Sequence, residues 1–232
     1  MLQIYYTILL GYTAKSKRIK MNKHIIELLL NKDEKIIIEP EDQLTEIDCC
    51  YDAPVSLIKN HHKTLLSYGA LDNSMYQLSS LLTKALSNGL SLHKSITNNI
   101  GYMYNQYSPY ICSGNPHIDN LFVCKKIESS SIWIGTQHLL WESKNYISWL
   151  YTDKNSSIIF EVTPFYPFMY SDTKKKLHYI SFESWMKRYK PYLISIIPKE
   201  TAHKWITQAN CITQQIEANI NRWKQEEKKH NL

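Results

Sequence analysis

NYISWLYTDKNSSIIFEVTPFYPF, residues 145–168, holds two apolar runs around a turn sequence, and how it is read decides the second half of the fold. In the first run Tyr146, Ser148 and Leu150 alternate with Ile147, Trp149 and Tyr151, the period of a strand. DKNSS, residues 153–157, is rich in turn formers, so the spacing predicts a hairpin with aromatic residues facing across it. Proline has no amide to give to a ladder. Pro164 is therefore expected where pairing stops, with Pro167 holding an extended exit. Phe165, Tyr166 and Phe168, wrapped around these prolines, either end a core strand or form an aromatic contact surface.

Toward the carboxy terminus, residues 171–182 (SDTKKKLHYISF) read as a turn and a short strand. Ser181 is placed to cap a helix that is interrupted near Pro191. Pro198 opens a long closing helix, in which Ala202, Trp205, Ala209, Ile212, Ile216, Ile220 and Trp223 recur at steps of three and four. Toward the amino terminus, residues 120–127 and 131–141 read as further strands. Residues 108–120 (SPYICSGNPHIDN) read as a loop.

The first half reads as mainly helical. Ile25, Ile26, Leu28, Leu29 and Leu30 suit a short buried helix over 21–32, and residues 35–43 a strand stopped by Pro40. PVSLIKNHHKTLLSYG, residues 54–69, follows a capping Asp52 and ends in glycine, which predicts a second helix carrying His61 and His62 at mid-length. A third runs from Asp72 or Asn73 to Gly89, and a weaker one spans 90–107, with Gly101 lowering its propensity. The expected fold class is α+β: a helical amino-terminal part, then a carboxy-terminal antiparallel β-meander packed against a long terminal helix. The expected division is a non-native leader over 1–20, a mainly helical part over 21–108, and sheet plus helices over 109–232, the last two as separate parts or as one continuous domain.

Composition bounds the function. A 232-residue chain with 44% hydrophobic and 21% charged residues can bury a substantial core. Its formal charge of +6 is unevenly laid out. Residues 33–52 hold eight acids (Asp33, Glu34, Glu39, Glu41, Asp42, Glu46, Asp48, Asp52) against Lys35. The bases are nearly all lysine, with Arg18, Arg188 and Arg222 the exceptions, which disfavours bidentate reading of bases or phosphates. Residues 1–20 carry their apolar run before their bases, the reverse of a secretory signal, and the run is too short to span a bilayer. A regular pattern begins only after Met21, which makes Met21 an alternative start to Met1; the intact mass of protein from the native gene decides between them.

Five cysteines without a C-x-x-C pair fit a reduced, cytoplasmic setting. Adjacent Cys49 and Cys50 read as small hydrophobes before they read as a redox pair. The loop CSGNPHIDN gathers Cys112, Ser113, His117 and Asp119, a nucleophile, base and orienter in one stretch, and so supports a hydrolase or nuclease as an alternative. Triads usually draw their members from distant rigid segments, which weakens that reading. Cys112, His117 and Cys124 lack a fourth ligand at a zinc spacing, and the glycines form no phosphate cradle, so no metal and no cofactor is expected. Lys174 to Lys176, Lys187 with Arg188 and Lys190, and Lys224 with Lys228 and Lys229 are basic clusters. They leave a nucleic-acid-binding accessory role as a third possibility.

SWLYTDKNSSIIFEVTPFYPF (148–168), followed by YISFESWMKRYKPYL (179–193) and the closing helix, resembles the carboxy-terminal part of bacterial immunity proteins encoded beside contact-dependent growth-inhibition and other polymorphic toxins. The likeness covers residues 130–223 and rests on pattern. It implies a cytoplasmic, non-catalytic protein that binds one cognate toxin domain, with a nuclease among the candidates, and occludes its active site. The net positive charge departs from the acidic balance that a basic nuclease calls for, whereas the acidic span supplies it locally. On this reading Glu39, Glu41, Asp42, Glu46 and Asp48 provide charge complementarity, and Tyr166 and Phe168 the apolar anchors.

Overall fold

The computed structural model describes residues 25–42, 44, 48, 50–92, 100–112, 136–166, 170–171, 177–178 and 181–230. Strands β1 (Ile26–Leu29), β2 (Glu34–Ile38), β3 (Asp52–Lys59) and β4 (His62–Ala70) form one antiparallel sheet in chain order. Helices α1 (Leu71–Leu86) and α2 (Ile100–Cys112) follow. The second sheet has the order β10-β7-β6-β5, built from β5 (Leu139–Glu142), β6 (Tyr146–Thr152), β7 (Ile158–Pro164) and β10 (Leu193–Ile197). Between β7 and β10 lie a two-stranded ribbon, β8 (Tyr170–Ser171) and β9 (Leu177–His178), and the short helix α3 (Phe182–Met186). Helix α4 (Lys199–His230) closes the chain.

The predicted helical amino-terminal part is overturned. Residues 54–69, expected as a helix, form the β3–β4 hairpin, and residues 26–29 a strand. The turn has hairpin geometry, with Asn60 and His61 both at positive φ, 48° and 64°, the two-residue turn whose twist matches the strands, and β3 is held as a strand by pairing with β2, Ile36 opposite Leu57 and Ile38 opposite Val55. Ala53, Val55 and Leu57 are then buried on one face of β3, while Pro54 and Ile58 are only half-buried on the other. His61 and His62 are exposed at the turn rather than mid-helix.

The hairpin expected at 146–164 is present, with Trp149 opposite Glu161 and Tyr151 opposite Ile159. Asp153 accepts from the backbone N–H groups of Asn155 (2.9 Å) and Ser157 (2.7 Å), closing its turn. Pro164 ends β7, and the Ser181 hydroxyl accepts from the Ser184 N–H at 3.2 Å, capping α3. Residues 193–197, of which Leu193 was expected at the end of the helix interrupted near Pro191 and 194–197 carried no expected element, are β10 and pair with β7.

Both faces of β6 and β7 are buried, as in a sheet covered on two sides. One face, with Leu150, Phe160 and Val162, joins a core that also holds Ile36, Val55 and Leu57 of the first sheet, Met75, Leu78 and Leu82 of α1, and Ala202, Trp205, Ala209 and Ile212 of α4. The opposite face, with Ile147, Trp149, Tyr151 and Ile159, is covered at Ile100 by α2. The Asn219 side chain donates to the Leu44 carbonyl (2.6 Å) and the Tyr51 hydroxyl (3.1 Å), tying α4 to the chain before β3.

Candidate functional site

Two places gather chemistry, one sealed and one open. The sealed one lies under α2. Glu161, wholly buried on β7, accepts from the Gly101 backbone N–H (3.1 Å) and the Thr163 hydroxyl (3.1 Å) at one oxygen, and from the Tyr151 hydroxyl (3.0 Å) at the other. Trp149 Nε1 donates to Thr163 Oγ1 at 3.0 Å, so the chain of donors ends on the carboxylate. Gly101 stands in the first turn of α2, where free amides and the helix dipole favour an anion. Burial nonetheless holds the Glu161 carboxyl above its usual range, against the lowering effect of these three donors. Tyr151 and Tyr189 are pushed up too, first by burial and also by the charge of Glu161. The Tyr189 hydroxyl is buried at the same place, with no partner of normal hydrogen-bond geometry.

Nothing in the sequence pattern singled out Glu161. It is one polar letter in an alternating run, and only the second, α2-covered face of the sheet makes it a buried charge. A carboxylate with no exposed surface cannot meet a substrate in this conformation. Its chemistry is to hold α2 on the sheet.

The open place is the outer face of the first sheet. Strand alternation puts Ile25, Glu27 and Leu29 of the β1 segment there, with Lys35 and Ile37 of β2, Ile58 of β3, and Lys63 and Leu65 of β4. Ile25, Leu29, Leu65 and Tyr68 are exposed by 48, 59, 46 and 55%. Lys35 pairs with Glu27 at 2.9 Å. At the hairpin-turn end, Leu29, Lys35, Ile58 and His61 line part of a cleft of about 380 Å³.

The predicted partner-binding residues divide between this face and elsewhere. Glu39 continues β2 and pairs with Lys63; Glu41 is exposed, and its Oε1 accepts from the Tyr68 hydroxyl at 2.8 Å. That bond, then burial and the charges of Glu41 and Asp52, raises the Tyr68 pKa above its ordinary value, so Tyr68 stays a donor. Asp42 is exposed beside them, and Asp48 is half-buried. Tyr166 is not the exposed anchor expected of it. It is buried with ring centroids 5.3 Å from Phe182 and 5.5 Å from Trp185, and its N–H donates to Asn105 Oδ1 at 3.0 Å. The chain leaving Pro164 turns under α2 and α3 rather than into solvent, which is why its aromatics pack.

Glu46 and Phe168 lie outside the described residues, as do Ser113, His117, Asp119 and Cys124; Cys112 is the last residue of α2. Among the described residues no group of three or more His, Cys, Asp or Glu side chains could hold a metal, and no helix is long and apolar enough to cross a membrane. The signal that sequence reasoning missed is the exposed apolar letters Leu65 and Tyr68, hidden by the helical reading of 54–69. The chain matches no protein-family profile, no curated protein and no solved structure, so its function is read from its own residues.

Proposed function

We propose that this chain is a cytoplasmic immunity protein that binds a cognate bacterial toxin domain and neutralises it by occluding its active site, docking through the outer face of the first sheet. One observation carries this reading: a sheet face with four exposed large apolar side chains stands beside the carboxylates of Glu39 and Glu41. Apolar surface of this kind is costly to leave in water and is what an interface centre buries. The acidic stretch around it suits a toxin with a basic active-site rim, where opposite charges steer encounter and fix orientation. Leu65 and Tyr68 take the anchoring role that the sequence had given to Tyr166, which is buried.

The test is protection of cells expressing the toxin domain encoded by the neighbouring gene. Leu65→Asp together with Tyr68→Ala should abolish protection and co-purification while leaving the circular dichroism and melting curve unchanged, because both positions are exposed. His117→Ala should protect like the wild type. Full protection by the face variant, or loss of protection with His117→Ala, overturns the proposal.

A further inference from the structure

The two sheets expose four edge strands, and three carry the features that discourage pairing with another chain. β1 is four residues long and bears the exposed, charged Glu27. β4 bears His62 and Lys63, and its register with β3 shifts between Val55 and Ser56. β5 pairs irregularly with β6 between Leu139 and Trp141 and ends on Glu142. β10 has none of these. Its sequence, LISII, contains no charge, and it pairs with β7 through five uninterrupted positions. Among the described residues no strand pairs with its outer side. Ile194 and Ile196 nevertheless stand 48 and 61% exposed on it.

We propose that two copies of the chain pair through β10, antiparallel about a two-fold axis at Ser195. In that register Ser195 lies opposite itself, Ile194 opposite Ile196 of the second copy, and Leu193 opposite Ile197. Every facing pair is apolar on apolar or serine on serine, and no like charges meet. The four exposed isoleucines gather on one face, where cross-strand neighbours stabilise each other, and the two four-stranded sheets become one continuous sheet. This self-match is what selects a second copy over a foreign strand, since one surface satisfies itself in a closed, isologous contact. Pro191 and Pro198 leave only residues 192–197 between them, so the pairing is short and the association weak. It uses the second sheet and leaves the outer face of the first sheet untouched, so it stands whether or not that face binds a toxin.

Sedimentation velocity from micromolar to millimolar protein tests it. The wild type should pass from monomer to dimer as concentration rises, and amide exchange across 193–197 should slow in step. Ile194→Lys or Ile196→Glu alone places a charge against isoleucine in both halves of the contact and should leave monomer throughout. Mixed in equal amounts, the two variants set the lysine introduced at 194 against the glutamate introduced at 196, and dimer should return. Lysine is assigned to 194 because its neighbour on β7 is Glu161. A wild type that stays monomeric, with the edge left to a foreign strand or to solvent, overturns the proposal. So do single variants that dimerise like the wild type, or a mixture that fails to pair.

Discussion

Gly101 is where backbone and carboxylate meet most closely. A Cβ at this position would lie 1.9 Å from Thr163 Oγ1, 2.5 Å from the Tyr189 hydroxyl and 2.6 Å from Glu161 Oε1, three groups locked by burial. Gly101→Ala should therefore destabilise the protein by about 1–3 kcal/mol despite alanine's better helix propensity, read as a lowered urea midpoint. An unchanged midpoint would mean α2 can lift without cost. From the sequence, Gly101 looked only like a flaw in a weak helix. The partner that makes it necessary is 60 residues away in the chain.

Glu161 gives the same site a pH dependence. Its carboxyl titrates above its usual range because burial outweighs its donors, so the folded chain holds that proton to higher pH than the unfolded one. The stability linked to it is complete below the unfolded pKa and is lost as pH rises through the folded one. Glu161→Gln keeps the shape, and its amide can donate to Tyr151, whose hydroxyl can turn to accept. The stability of the wild type relative to this variant should fall as pH rises from mildly acidic toward neutral. Urea melts of both proteins across that range would show it, and a difference independent of pH would rule it out.

At the scale of elements, the β3–β4 hairpin shows how a short apolar pattern can mislead. Val55, Leu57, Ile58, Leu65 and Leu66 satisfy a helical period as well as a strand period, and Asp52, Pro54 and Gly69 look like helix punctuation. The decision falls to pairing with β2, where Ile36 meets Leu57 and Ile38 meets Val55, partners that no local window contains. His61 keeps a positive φ that only glycine adopts without cost. His61→Gly should thus raise stability by about 1 kcal/mol, seen as a higher melting temperature, whereas a helix at this place would be weakened by a similar amount. The second hairpin was legible because its turn is explicit and its strands are long, and α4 because its stripe repeats over many turns. β10 was not, being five residues between two prolines with no partner in view.

Across the whole molecule, one buried cluster runs from Ile26 in the first strand to Ile216 in the last helix, so both sheets share α1 and α4 as cover on their inner faces, while α2 covers the other face of the second sheet. Among the described residues that arrangement leaves the outer face of the first sheet without cover, and the candidate docking surface is a consequence of where the helices went. The acidic stretch, the hairpin at 146–164, the capped α3 and the striped α4 were fixed by the sequence itself, because charge, turn chemistry and period act between near neighbours. Tertiary structure alone decided that residues 54–69 are strands, that Tyr166 is buried while Leu65 and Tyr68 are exposed, and that Glu161 sits beneath Gly101. Those outcomes depend on contacts between distant segments, and solvent exposure belongs to the assembled layers rather than to any residue's own chemistry.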